Sequence, residues 1–226
     1  MAVAGDIDVL ASATAAGASR RPSSPVAGRL RAEALTLAAT EALGRGSFAY
    51  RIVPLDRGTG NLLWVEGEPL EAPWLLPETG SLTALACGVC TLGPALEARV
   101  RELFGQGRRS LAMALDNLGN ELLFALSRRM QHRMMAEVGH EGLCLAGELR
   151  SGDPGLALET QALVVRLAGG DTLGVTVNSG AMMHPVKSAS AVFGVGVDLP
   201  EAKWSRCDDC RSAARCAHAR PPVHGD

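Results

Sequence analysis

The sequence predicts a domain that mixes helices and strands around an aliphatic core, and three observations carry that expectation. Residues 171–197 read as strand, irregular crossing, strand. Residues 94–104 and 110–138 read as helices, the second with Leu111, Leu115, Leu118, Leu122, Leu126 and Met130 spaced three and four apart along one side. Hydrophobic residues make up 47% of the 226-residue chain and aromatic residues only 4%, so Leu, Val, Ala and Met must fill the core. That length suits one domain with tails.

Composition also excludes several classes. A net charge of −2 gives no footing for a nucleic-acid partner. No run reaches the roughly 18–20 apolar residues of a membrane span. The first residues include Asp6 and Asp8 and no basic cluster, so a secretory signal is not expected and the cytoplasm is the expected location. In that compartment the six cysteines read as thiols or metal ligands, not as a disulfide framework.

Taken in order, residues 1–25 are small and polar and read as a disordered leader, with one weak helical turn near Ile7–Leu10. A folded domain is expected over 26–200 and a cysteine-containing tail over 201–226. Helix is expected over 27–43, with Leu30, Ala34, Leu37 and Ala38 on one side and Gly44 as its stop. Strands are expected over 48–55 and 61–65, followed by an extended connection over 69–77, where prolines argue against a central strand. Residues 83–91 read as a buried strand. Gly93 and Pro94 then suit an N-cap and first helical position, and Glu97 complements the helix dipole. In the long helix Asp116 reads as facing water, and Gly119 as permitting a close contact with the sheet. Its Arg128, Arg129, His132 and Arg133 read as a solvated face. A strand over 142–149, a turn over 150–155 and a helix over 158–167 complete the run. In the final stretch Leu173, Val175 and Val177 alternate with Gly174, Thr176 and Asn178, which places Thr176 and Asn178 on one polar face. Ser188–Val197 forms the second arm, and the two arms are expected to pair around Met182 and Met183.

The crossing carries wording of its own. Thr176-x-Asn178-Ser-Gly-x-Met182-Met183-x-Pro185-x-Lys187-Ser-x-Ser190 resembles a segment of the activation domain of cobalamin-dependent methionine synthase, Thr-x-x-Ser-x-x-Met-x-Pro-x-x-Ser-x-Ser. It is closer still to the short free-standing proteins of that superfamily. Upstream, Thr91-Leu-Gly-Pro94 and Asp116-x-x-Gly119 stand in the order found there. Arg150-Ser-Gly-Asp-Pro154-Gly155 is similar to the family's Arg-x-x-Pro-Gly-Tyr turn, with one extra residue and with Leu156 in place of Tyr. Asn178 stands where the family usually carries Glu.

The resemblance implies an α+β fold, with a twisted, mainly antiparallel sheet and packed helices. It implies S-adenosylmethionine as ligand, with Arg150, Pro154, Gly155, Thr176, Asn178, Met182, Met183 and Lys187 as candidate binding residues and none as a catalyst. Physically, an Arg before a Pro-Gly turn can aim two parallel N–H bonds at a carboxylate. The implied role is that of an accessory subunit. It would act in trans in the reductive reactivation of a cobalamin-dependent methyltransferase, methionine synthase being the one expected, with the cobalamin held by that partner and an electron donor as a further partner. Cobalamin that falls to cobalt(II) is returned to its cycle when reduction is coupled to methyl capture from S-adenosylmethionine.

Cysteines suggest the competing reading. Cys207-x-x-Cys210 with Cys216 and His218 nearby can bring thiolates to one metal, zinc or an iron–sulfur cluster. The alternative is therefore a metal-binding redox or scaffold partner of a corrinoid protein that does not bind S-adenosylmethionine. Strand alternation puts Cys87 and Cys90 on opposite faces, and these two and Cys144 read as small buried hydrophobes.

Overall fold

The sheet at the centre of the molecule joins strands that lie far apart in sequence. The computed structural model describes residues 1–12, 24–59 and 61–200. Its strands are β1 (Ala2–Asp8), β2 (Arg45–Pro54), β3 (Arg57–Thr59), β4 (Leu62–Val65), β5 (Glu68–Glu71), β6 (Ser81–Thr91), β7 (Cys144–Leu149), β8 (Thr176–Val177), β9 (Met183–His184) and β10 (Ser188–Val197). The α-helices are α1 (Pro25–Thr40), α2 (Ala95–Gly105), α3 (Arg109–His140) and α4 (Gln161–Leu167), with short 3-10 turns at Pro73–Leu75, Leu158–Thr160 and Gly170–Leu173. The main sheet runs β1-β2-β6-β10-β7, and every neighbouring pair is antiparallel. This is the α+β class that the sequence predicts.

Period-two alternation divides the core into two layers. From β6, Ala84, Ala86 and Cys90 face α1, α2 and α3; Leu85, Cys87 and Val89 face the opposite layer, made of the β3-β4-β5 sheet and α4. The two cysteines thus lie on opposite faces, as alternation requires. Gly88 leaves room for methionines of α3: a Cβ there would sit 2.2 Å from Met134 Cε. Two side-chain ties bind helices and sheet. Arg31 donates twice to the Glu121 carboxylate at 2.8 Å, clamping α1 to α3. The buried Tyr50 of β2 donates its hydroxyl to Glu137 of α3. Burial, and then the Glu137 carboxylate, push the Tyr50 phenol up to about 12.

Several local expectations are corrected. Ala2–Asp8 is a strand, paired with β2 at the sheet edge, where the sequence reads as leader. Its residues are small and half-exposed, so composition hides the pairing. The 69–77 connection contains β5, an edge strand that tolerates Pro69, and a 3-10 turn. Pro94 caps α2 and Ala95 opens it, one residue later than expected. The apolar alternation of 173–177 is not a continuous strand: Leu173 ends a 3-10 turn, Gly174 and Val175 are irregular, and only Thr176–Val177 is extended. That short arm pairs with β9, not with β10, which pairs with β6 along its length and with β7 over Val192–Gly196. Cys144 is exposed, not buried.

Candidate functional site

Four anchors fix the 178–188 loop. Asn178 Oδ1 accepts from Gly180 N at 2.9 Å and Met182 N at 3.0 Å, so its side chain shapes the turn. Glu97 of α2 accepts from Val186 N at 3.1 Å. Ser188 Oγ lies 2.8 Å from Thr91 Oγ1 and 2.7 Å from Pro185 O. The Lys187 ammonium, almost buried, reaches α3, 2.8 Å from Asp116 Oδ1 and 2.8 Å from Asn120 Oδ1. Gly119 lies between those two on the helix. A Cβ there would meet Leu96 of α2 at 2.9 Å and Lys187 Cε at 3.2 Å, so its smallness serves the helix and the lysine stem, not the sheet. The His184–Pro185 peptide is cis. Held this way, the loop turns Met182 and Val186 outward, 58% and 48% exposed.

Arg150 reaches the same helix from the other side of β10. Its side chain is 19% exposed, and Nη2 donates to Glu148 at 3.1 Å and Ser127 at 3.4 Å. Its Nε is buried and has no hydrogen-bond partner among the described residues. Asp116, Asn120 and Ser127 fall on one stripe of α3, and Asn120 and Ser127 lie about 10 Å apart along its axis. The helix thus presents a polar stripe with Lys187 at one end and Arg150 at the other.

The turn after Arg150 is closed by Asp153 N to Arg150 O and Gly152 N to Leu156 O, both 2.8 Å, with Asp153 Oδ2 accepting from Arg150 N. Pro154 is exposed at its tip. Gly155 has φ +82, and a Cβ on it would lie 2.7 Å from Trp74 Cγ. Leu156 is buried in the layer beneath. Gln161, the first residue of α4, ties β10 to the loop: its Nε2 donates to Ser190 Oγ at 2.7 Å and lies 3.6 Å from Met183 Sδ, while the preceding Thr160 meets Ser151 of the Arg150 turn, Oγ1 to Oγ, at 3.0 Å.

The structure therefore connects Arg150, Met183 and Lys187 through α3, β10 and Gln161, and places Thr176 and Asn178 on the exposed β8–β9 hairpin. The Lys187 ammonium and the Asn178 Oδ1 are each engaged by neighbouring protein groups. Sequence reading misses Ser127, Glu148, Gln161 and Trp74, since nothing local marks a helix serine or glutamine as the partner of a distant turn. Cys207, Cys210 and Cys216 lie outside the described residues, and no group of metal-ligating side chains occurs among those described. No described helix is long and apolar enough to cross a membrane.

No family model matches the sequence, and no curated protein matches it. A solved structure does: the MetH reactivation domain bound to AdoHcy, with a TM-score of 0.62 over 93% of this chain and 80% of that one. The two share a fold. Identity is 14%, so the likeness is one of architecture.

Proposed function

We propose that this protein binds S-adenosylmethionine at the Arg150 turn and presents it to a corrinoid carried by a partner methyltransferase, as an accessory subunit in reductive reactivation. The observation that carries the reading is the buried Nε of Arg150. The guanidinium charge is already paired by Glu148, but its Nε–H is directed at no acceptor among the described residues and is short of one. A carboxylate bound side-on would take Nε–H and an Nη–H together. The methionyl end of S-adenosylmethionine supplies such a carboxylate, and the fold shared with an AdoHcy-bound domain supports the choice. When bound, that ligand supplies the electrophilic methyl group. The chain's own residues anchor the carboxylate, and the pinned 178–188 loop holds an apolar rim beside the partner.

Calorimetry with S-adenosylhomocysteine tests this. Wild type is expected to release heat on binding and Arg150→Ala to lose it; equal heats overturn the reading. Corrinoid dependence is tested by pull-down, with a cobalamin-binding methyltransferase as the expected catch.

The competing reading, a metal-binding redox or scaffold partner without S-adenosylmethionine, draws on two observations. Leu156 is buried where the family's turn offers an aromatic side chain, and Asn178 is used up in a turn. Metal analysis and visible absorbance after anaerobic purification, on wild type and Cys207→Ser, distinguish the two.

A further inference from the structure

Arg150 shares its face of the sheet with an acid. Leu149 packs into the layer of β4, β5 and α4, so its two chain neighbours, Glu148 and Arg150, turn the other way, toward α3. A bulge contributes to this. Between the pairs Leu149↔Val192 and Ala146↔Gly194, Gly147 and Glu148 of β7 stand against Phe193 alone, and Gly147 takes φ +70. An extra residue of this kind bends a strand and re-aims the side chain beside it. Glu148 Oε1 lies 3.1 Å from Arg150 Nη2, with the two side chains 17% and 19% exposed. The pair is not the closed fork of a structural ion bridge, which makes two parallel bonds. Glu148 accepts from Nη2, and Nε finds no acceptor among the described residues.

We propose that Glu148 receives the ammonium group of the bound ligand, so that Arg150 and Glu148 together select the zwitterionic head of an α-amino acid over a plain carboxylate. The inference rests on the reading of Arg150 as the carboxylate anchor, and it names the class of ligand which that anchor admits. Both protein charges are within reach of one head group, since they meet at 3.1 Å and a single carbon joins the ammonium and carboxylate of an α-amino acid. Charge then decides the class. A plain carboxylate at Nε would lie beside the Glu148 carboxylate, and with so little water between them the two anions repel. An α-amino acid brings its own cation to that place, and opposite charges alternate around the four groups. A carboxylate has about four lone-pair positions, so Glu148 can keep its bond to Arg150 while accepting an ammonium N–H.

The test is calorimetry on the full-length chain with two ligands. One is S-adenosylhomocysteine; the other is its desamino analogue, which keeps the carboxylate and the adenosine but carries hydrogen in place of the ammonium. Wild type is expected to bind the first roughly tenfold more tightly, the strength of one hydrogen bond between charged groups. Glu148→Gln is expected to lose that preference by weakening S-adenosylhomocysteine and not the analogue. Equal binding of both ligands by wild type, with loss of both in Arg150→Ala, overturns this inference and leaves the anchor standing. Equal weakening of both ligands in Glu148→Gln also overturns it, since Glu148 would then serve only to hold Arg150. Where thermal transitions show that Glu148→Gln does not fold, the ratio in wild type decides. No binding of either ligand by wild type removes the anchor and this inference together.

Discussion

Tyr50 is the single tyrosine of the chain, so its ionisation can be followed directly in the ultraviolet. Its folded value near 12 exceeds the ordinary 10 because burial and then Glu137 disfavour the phenolate. Between those values the unfolded chain has lost a proton that the folded chain keeps. The Tyr50 contribution is therefore intact below pH 10 and is lost as pH rises toward 12. Absorbance of tyrosinate should appear near pH 12 in the native protein; a midpoint near 10 would contradict the buried geometry. Burial acts likewise on the thiols of Cys87 and Cys90, both pushed up to about 12. In a variant with Cys207→Ser, Cys210→Ser and Cys216→Ser, native protein should show one fast-reacting thiol, that of exposed Cys144. At Arg150, Lys in place of Arg keeps the charge but loses the forked donors. Arg150→Lys is thus expected to lose most of the S-adenosylhomocysteine affinity seen by calorimetry.

Elements differ in how openly the sequence declares them. The three-and-four spacing of α3 survives because its apolar stripe spans the whole sheet, so the expected 110–138 lies within Arg109–His140. Strand β6 is apolar on both faces because both are covered, and it too is readable. The arm over 173–178 misleads: Val175 is buried and Val177 half-buried, yet the end of a 3-10 turn at Leu173, two irregular residues and a two-residue strand satisfy the same alternation. Its pairing with β9 depends on what else lies beside β10, which no local pattern records. The same holds for the site. Motif wording marks Lys187, but its partners Asp116 and Asn120 stand some seventy positions upstream. Those contacts make the loop and α3 one unit. Lys187→Met should cost about 1–3 kcal/mol in urea unfolding, because Asp116 and Asn120 lose their cation. Amide exchange should quicken around Val186. Gly88→Ala should cost less, about 1 kcal/mol or under, because the atoms in the way are the flexible ends of Met130 and Met134, which can turn aside.

The described residues form a helical layer, a five-stranded sheet and a smaller mixed layer, and β1 closes one sheet edge. Deleting residues 1–8 would uncover the β2 edge, and sedimentation should then show more self-association than in wild type. Strand β10 has a different consequence. It is the last described strand in chain order, yet it lies inside the sheet, between β6 and β7. During synthesis, everything up to the 178–188 loop leaves the ribosome before the strand that must join those two. Nascent chains stalled short of Ser188 would carry two open edges and a split core, and should be cut readily by protease. Those stalled far enough beyond Val197 for β10 to clear the exit tunnel should resist it. The cell must shelter the half-made sheet for that interval, so a trigger-factor-like chaperone should crosslink to the shorter chains and release the longer ones.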